Sequence, residues 1–318
     1  LAVVALVALR VSIGWHFFYE GVWKIAHPER FSATSFFTVA KGPAAPLFYA
    51  MVYDIDGRQR LTPEKNDKGE KVITGRVYLE AWQGQLDAAI KKYPFNDEQR
   101  KRATEIFDRY AKSLKIYFEG NREVEGHQEA IEAYLGSLDR FEEARRADGN
   151  NALHQRKRNW DKQQKLRAEV NVWLGDLDAM GDEYRSALWS ILSDDQKAEG
   201  PIPVGSTRSD LMDFAVTWGL TAIGLCMIVG LCNRLACLGG AAFLVSVLLS
   251  QPPWPTVYPP APEVVGHALI VDRNFVEMMA MLVLACLPVG RWGGLDAFLH
   301  RWIGQPLMKR YCGREYDA

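Results

Sequence analysis

Ser12, His16, Glu20 and Lys24 recur at every fourth residue near the start of the chain, within the stretch SIGWHFFYEGVWK. On a helix this spacing sets the four side chains in one stripe. An imidazole and a carboxylate one turn apart can share a hydrogen bond and pass a proton, and histidine changes charge near neutral pH. The stripe closes an apolar run, Leu1–Phe18, interrupted mainly by Arg10, Ser12 and His16. Ionisable groups at the edge of a hydrocarbon layer are costly unless they face protein, water or each other, so the stripe is expected to point inward. Far along the chain Glu277 is a single carboxylate in another apolar stretch, preceded by Asp272, Arg273 and Asn274, with His267 further upstream. If the first helix runs outward and the last inward, His16, Glu20 and Glu277 converge in the outer half of one bundle. Lys24 and Asn274 would support them, and His267, Asp272 and Arg273 would stand at the mouth. Such a set suits a quinone head group, which needs partners for two carbonyl oxygens and a route for protons. It equally suits a structural role, in which the charges pair with Lys24, Arg273 and each other to hold short helices in register.

The elements that must position these residues are apolar segments flanking a polar insert. Four segments are expected to span a membrane: Leu1–Tyr19, Leu211–Leu231, Leu235–Ser250 and Asn274–Val289. The last two have about 16 residues each and so reach roughly 24 Å, which spans only with interfacial flanks or a thinned bilayer. Cys232–Asn233–Arg234 is a turn between the second and third segments, and the small-residue pairs Ala215/Gly219 and Ala236/Gly240 are expected to let helices approach closely. Arg234 and the later Arg291, Arg301, Lys309, Arg310 and Arg314 place that turn and the tail on the cytoplasmic side. Both termini are then inside, and the polar insert is outside an inner membrane. Phe36–Val52, broken by Gly42, Pro43 and Pro46, reads as an interfacial or re-entrant segment. The proline-rich 251–273 loop reads as a stiff extended cap, and Leu295, Phe298, Leu299, Trp302 and Ile303 as a surface-lying amphipathic helix.

Residues 54–210 hold 57 of the 77 charged residues in the 318-residue chain, so the near-neutral mean hydropathy averages two opposite parts. The resulting layout is 1–53, an insert at 54–210, further spans at 211–294 and a tail at 295–318. Apolar periodicity predicts insert helices over Val77–Tyr93, Asp97–Phe118 with Asn96 as N-cap, and Gln128–Arg145. After a break at Asp148–Asn151, helices follow over Leu153–Met180 and Tyr184–Leu192. The fold class is therefore all-α, a four-helix transmembrane bundle with a helical extracytoplasmic domain between its first and second helices.

The net charge of −1 gives no reason to expect nucleic acid. The five cysteines all lie in the apolar half or its tail and imply no disulfide framework, and no metal-ligand spacing is present. No haem-attachment, phosphate-loop, dinucleotide or hydrolase motif occurs, so electrons passing through this chain would need a quinone or a partner's cofactor. Beginning at Leu1 without methionine, the sequence is expected to lack its true start.

The runs LRVSIGWHFFYEGVWKI, TWGLTAIGLCMIVGLCNRLACLGGAAFLVSVLL, DRNFVEMMAMLVLA and GRWGGLD, in this order, resemble the DoxX family of small four-helix membrane proteins. The resemblance covers about residues 1–53 and 211–297. In that family the first helix carries Gly14, Glu20, Gly21 and Lys24 as they stand here, and the last carries Asn274 and Glu277. It implies a quinone-linked role as a subunit or partner of a membrane redox complex, with quinone bound non-covalently. The insert departs from compact relatives and suggests docking to other membrane redox subunits through residues 54–210. Two alternatives stay open: an architectural subunit that anchors partners through the insert, and a small-solute transporter using the polar stripe.

Overall fold

The structure is a computed structural model, and it describes residues 1–65, 69–148, 152–205, 208–260 and 269–304. The chain forms two compact units, one of Leu1–Tyr53 with Thr207–Ala318 and one of Asp54–Ser206.

The first unit is built on α1 (Ala2–Ala26), α9 (Arg208–Val229), α10 (Asn233–Ser250) and α11 (Arg273–Cys286). Three of these, α1, α9 and α10, are long and apolar enough to cross a membrane. With 14 residues α11 spans only about 21 Å, and it stops short of the expected Val289. Pro288 is the cause: it pushes Leu287 into an extended conformation, after which Val289–Arg291 forms a short 3₁₀ turn. On this unit the exposed large apolar residues run from Leu1 and Val4 through Trp15, Tyr19, Leu211, Phe214, Trp218, Leu235 and Val276. On the described part of the insert only Val124, Val172 and Val204 are of that kind. An apolar exterior confined to the unit with the long helices is the surface of a membrane-associated protein.

Close approach of α1 to α9 sets the bundle. A Cβ on Gly224 would overlap the Phe18 amide and the Gly14 carbonyl, and one on Gly21 would overlap Thr221. Of the expected small-residue pairs, Ala236/Gly240 is buried and a Cβ on Gly240 would strike Met281. Ala215 is exposed and Gly219 has open space beside it, so that pair makes no helix contact. Ile13 and Phe17 of α1, Met227 of α9, Leu244 of α10 and Met281 of α11 lie in the shared core.

Phe36–Val52 resolves into α2 (Ala33–Thr38) and α3 (Ala45–Met51), whose Phe37 and Phe48 stack at 5.4 Å. The link between them is fastened to the end of α10, where Lys41 and Gly42 donate backbone N–H groups to the Ser250 carbonyl. Of the expected 251–273 cap, residues 261–268 lie outside the described residues. In the part after α10 there is a turn, Val257 N donating to the Trp254 carbonyl, and Lys41 Nζ bonds the Pro259 carbonyl. After α11 come α12 (Asp296–Leu299) and a π turn over His300–Gly304, with Phe298 and Trp302 exposed.

The second unit contains α4 (Arg76–Lys92), α5 (Asp97–Glu119), α6 (Gln128–Asp148), α7 (Leu153–Ser190) and α8 (Asp194–Ala198). Asn96 and Gln99 form a reciprocal capping box at the start of α5. The helix expected to stop at Met180 instead continues to Ser190, because Gly181 stays helical with the Trp82 indole packed beside it. The expected break at Asp148–Asn151 falls largely on residues outside the described set. A two-residue antiparallel ladder, β1 (Glu64–Lys65) with β2 (Lys71–Val72), holds the only strands among the described residues. Trp82 stacks on Tyr184 at 5.5 Å in the core, and the Tyr184 hydroxyl donates to the Trp82 carbonyl.

Candidate functional site

His16 is the fifteenth residue of α1, about 15 Å along the helix from its end at Ala26. Glu277 lies just past the first turn of α11, roughly 6 Å along from Arg273. Measured from these two ends the depths differ, yet the side chains meet: His16 Nδ1 is 2.9 Å from Glu277 Oε1. The Glu277 side chain is 17% exposed and that of His16 is 58% exposed. The pair is thus open on the imidazole side and closed on the carboxylate side.

The stripe does not point inward. Ser12, His16 and Glu20 are exposed, while Arg10, Ile13, Gly14, Phe17 and Gly21 form the buried face of α1. The glycines decide this, since the face that lets two backbones touch must be the one turned to α9. The ionisable stripe is left on the flank, where among the described residues only His16 has a carboxylate of another helix within reach.

Glu20 does not join Glu277. Its Oε2 accepts from Lys24 Nζ at 2.9 Å, and Lys24 also lies 5.1 Å from the Phe31 ring. Asp272 caps α11 by accepting from the Phe275 amide at 2.8 Å, and Asn274 Nδ2 donates to its other oxygen at 3.2 Å. Asp272 is buried, so it holds the start of the helix rather than lining a mouth. Arg273 is exposed, and His267 lies outside the described residues. Trp15, Tyr19 and Trp23 on α1 with Phe214 and Trp218 on α9 are aromatic residues exposed near the same end. Such residues collect at membrane–water interfaces.

A second polar centre sits at the opposite end of the bundle. Arg10 is 1% exposed, and its Nη1 donates to the Val289 carbonyl at 2.8 Å. It also interacts electrostatically with Asp296, whose carboxylate caps α10 by accepting from the Cys232 and Asn233 amides at 2.7 and 3.0 Å. The segment carrying Asp296 is held by Leu295 N to Val229 O and Asp296 N to Gly230 O. Gly230 has φ +66°, and a Cβ there would meet the Arg10 guanidinium, so no other residue fits this corner. Asp296 had no sequence signal, since the helix it caps begins 63 residues earlier.

Among the described residues no group of three or more His, Cys, Asp or Glu side chains is gathered as metal ligands would be. Comparison of the chain with protein-family models, curated proteins and solved structures gives no match.

Proposed function

We propose that this chain is a DoxX-type subunit of a membrane redox complex that binds a quinone head group at His16 and Glu277. The observation that supports it best is the 2.9 Å contact between an open imidazole and a shielded carboxylate on two apolar helices. The resemblance of the apolar half to that family points the same way. In this reading α1, α9, α10 and α11 form a four-helix bundle in the inner (cytoplasmic) membrane, with α11 relying on its flanks to cross. Arg234, Arg291 and Arg301 put the α9–α10 turn and both termini in the cytoplasm and the insert outside.

A bound quinone supplies paired electron and proton transfer. The chain's own part is to orient and protonate. Glu277 Oε1 holds the His16 ring through Nδ1, which leaves Nε2 for an oxygen of the head group. A neutral ring fixed in this way accepts at Nε2, and the imidazolium donates there, so the pair can hold or release a proton at that atom. Asp272, with Asn274 on its second oxygen, fixes the first turn of α11 and so the position of Glu277. The Glu20–Lys24 pair completes its own charges at the interface. The same internal pairing favours a second reading, an anchoring subunit without redox chemistry.

The insert would dock to other membrane redox subunits through polar contacts, since its described surface has few large exposed apolar residues. Purification in mild detergent with mass spectrometry of co-purifying proteins tests this. A cytochrome, oxidase or other redox subunit in fixed ratio supports the reading; recovery of the chain alone contradicts the docking role.

A further inference from the structure

At the end of the bundle away from His16, the α9–α10 turn and the chain after α11 enclose an open cleft of about 430 Å³. Arg234, Arg291 and His300 line it, along with Asp296 and an apolar wall that includes Leu235, Leu287 and Leu299. The Asp296 carboxylate is already engaged by the Cys232 and Asn233 amides, and the buried Arg10 guanidinium acts on it electrostatically. Arg234 and Arg291 are exposed, and neither has a carboxylate partner among the described residues. The uncompensated charge of the cleft is therefore positive. Its apolar wall leads outward: Leu235 is 71% exposed, and Leu238, one turn on along the same face of α10, is 50% exposed.

We propose that this cleft is a binding site for one anionic phospholipid, with the phosphate between Arg234 and Arg291 and an acyl chain along Leu235 and Leu238. Guanidinium groups bind phosphate oxygens in forked pairs, and basic pockets beside membrane helices select anionic head groups. An inorganic phosphate would use the two arginines but gain nothing from the leucines, so the apolar exit assigns the site to lipid. The proposal rests on the membrane placement of the bundle and not on quinone binding.

The test is native mass spectrometry of the full chain in mild detergent, titrated with phosphatidylglycerol or with phosphatidylcholine of the same acyl chains. One phosphatidylglycerol should bind at least about fivefold more tightly than phosphatidylcholine. R234Q/R291Q should lose this preference, a fall of about tenfold or more, while R234K/R291K keeps most of it and R30Q, at the other end of the bundle, keeps all of it. Circular dichroism of each variant reads its helix content, and the lysine pair shows whether charge or fold is responsible. Equal binding of the two lipids by the unaltered chain, or an unchanged preference in R234Q/R291Q, overturns the proposal. Displacement of phosphatidylglycerol by an equal concentration of inorganic phosphate overturns it in favour of a soluble anion. Absence of any lipid association would contradict the membrane placement itself, whereas loss of quinone binding would leave this site untouched.

Discussion

His16 of α1 and Glu277 of α11 are separated by 261 residues of sequence and by 2.9 Å in space. They make the hydrogen bond through which α1 and α11, the first and last of the four bundle helices, touch by polar side chains among the described residues. Elsewhere the bundle is held by close backbone approach and by the buried arginine at its other end.

The first prediction concerns that close approach. Gly224→Val places atoms where the Phe18 amide and Gly14 carbonyl already lie, so α1 and α9 must separate. Overpacking of this kind costs about 1–3 kcal/mol. Thermal unfolding in detergent should show the loss, and Gly219→Val, beside open space, should show almost none.

Arg10 carries the second. Arg10→Met removes the donor to the Val289 carbonyl and the cation beside Asp296. The Val289 carbonyl keeps its bond from the Trp292 amide at 3.1 Å, so the loss is that of one charged hydrogen bond, about 1.5–3 kcal/mol. Protease cleavage after Arg291 should become faster in the variant as the turn over Val289–Arg291 loosens, with the insert helices unaffected.

Capping of α5 separates two residues that sequence treats alike. Asn96→Ala removes one cap bond and should cost about 1 kcal/mol. Gln99→Ala should cost more, because Gln99 Nε2 also donates to the Ile191 carbonyl and to Gln196 Oε1 at 2.9 Å each. Denaturant unfolding of the two variants side by side checks the order.

Alkaline pH should destabilise the insert. Burial holds the hydroxyls of Tyr78, Tyr117, Tyr134 and Tyr184 well above the ordinary tyrosine range. Their folded state favours the protonated form, so their stabilising contribution is complete below about pH 10 and is lost as pH rises beyond it. Ultraviolet difference spectra should show these tyrosines ionising together with loss of helix, whereas exposed tyrosines ionise earlier with the helices intact.

Much of this architecture is legible in the sequence where the information is local. Asn96 marks the start of α5, and the three-and-four spacing of Leu79, Trp82 and Leu86 marks the inner face of α4. Spacing and depth brought His16 and Glu20 together towards Glu277, and only His16 reaches it among the described residues. Features decided by a distant partner were not readable. The helix expected to stop at Met180 runs on through Gly181, where Trp82 packs beside it. Which of the small residues seat a neighbouring helix depends on that neighbour, so Gly14, Gly21 and Gly224 matter where Ala215 and Gly219 do not. That same choice turned the Ser12–Lys24 stripe to the flank and left Glu20 to pair with Lys24 instead of Glu277.

The most direct measurement is the quinone bound per chain in purified protein, compared between the unaltered chain and Glu277→Gln. Glutamine keeps the shape of the side chain and removes the charge that orients His16 through Nδ1. The account predicts a severalfold fall in quinone content with the thermal unfolding midpoint nearly unchanged. Unchanged quinone content, or a loss that appears only together with loss of folded protein, would contradict it and leave the pair as a structural clasp between α1 and α11.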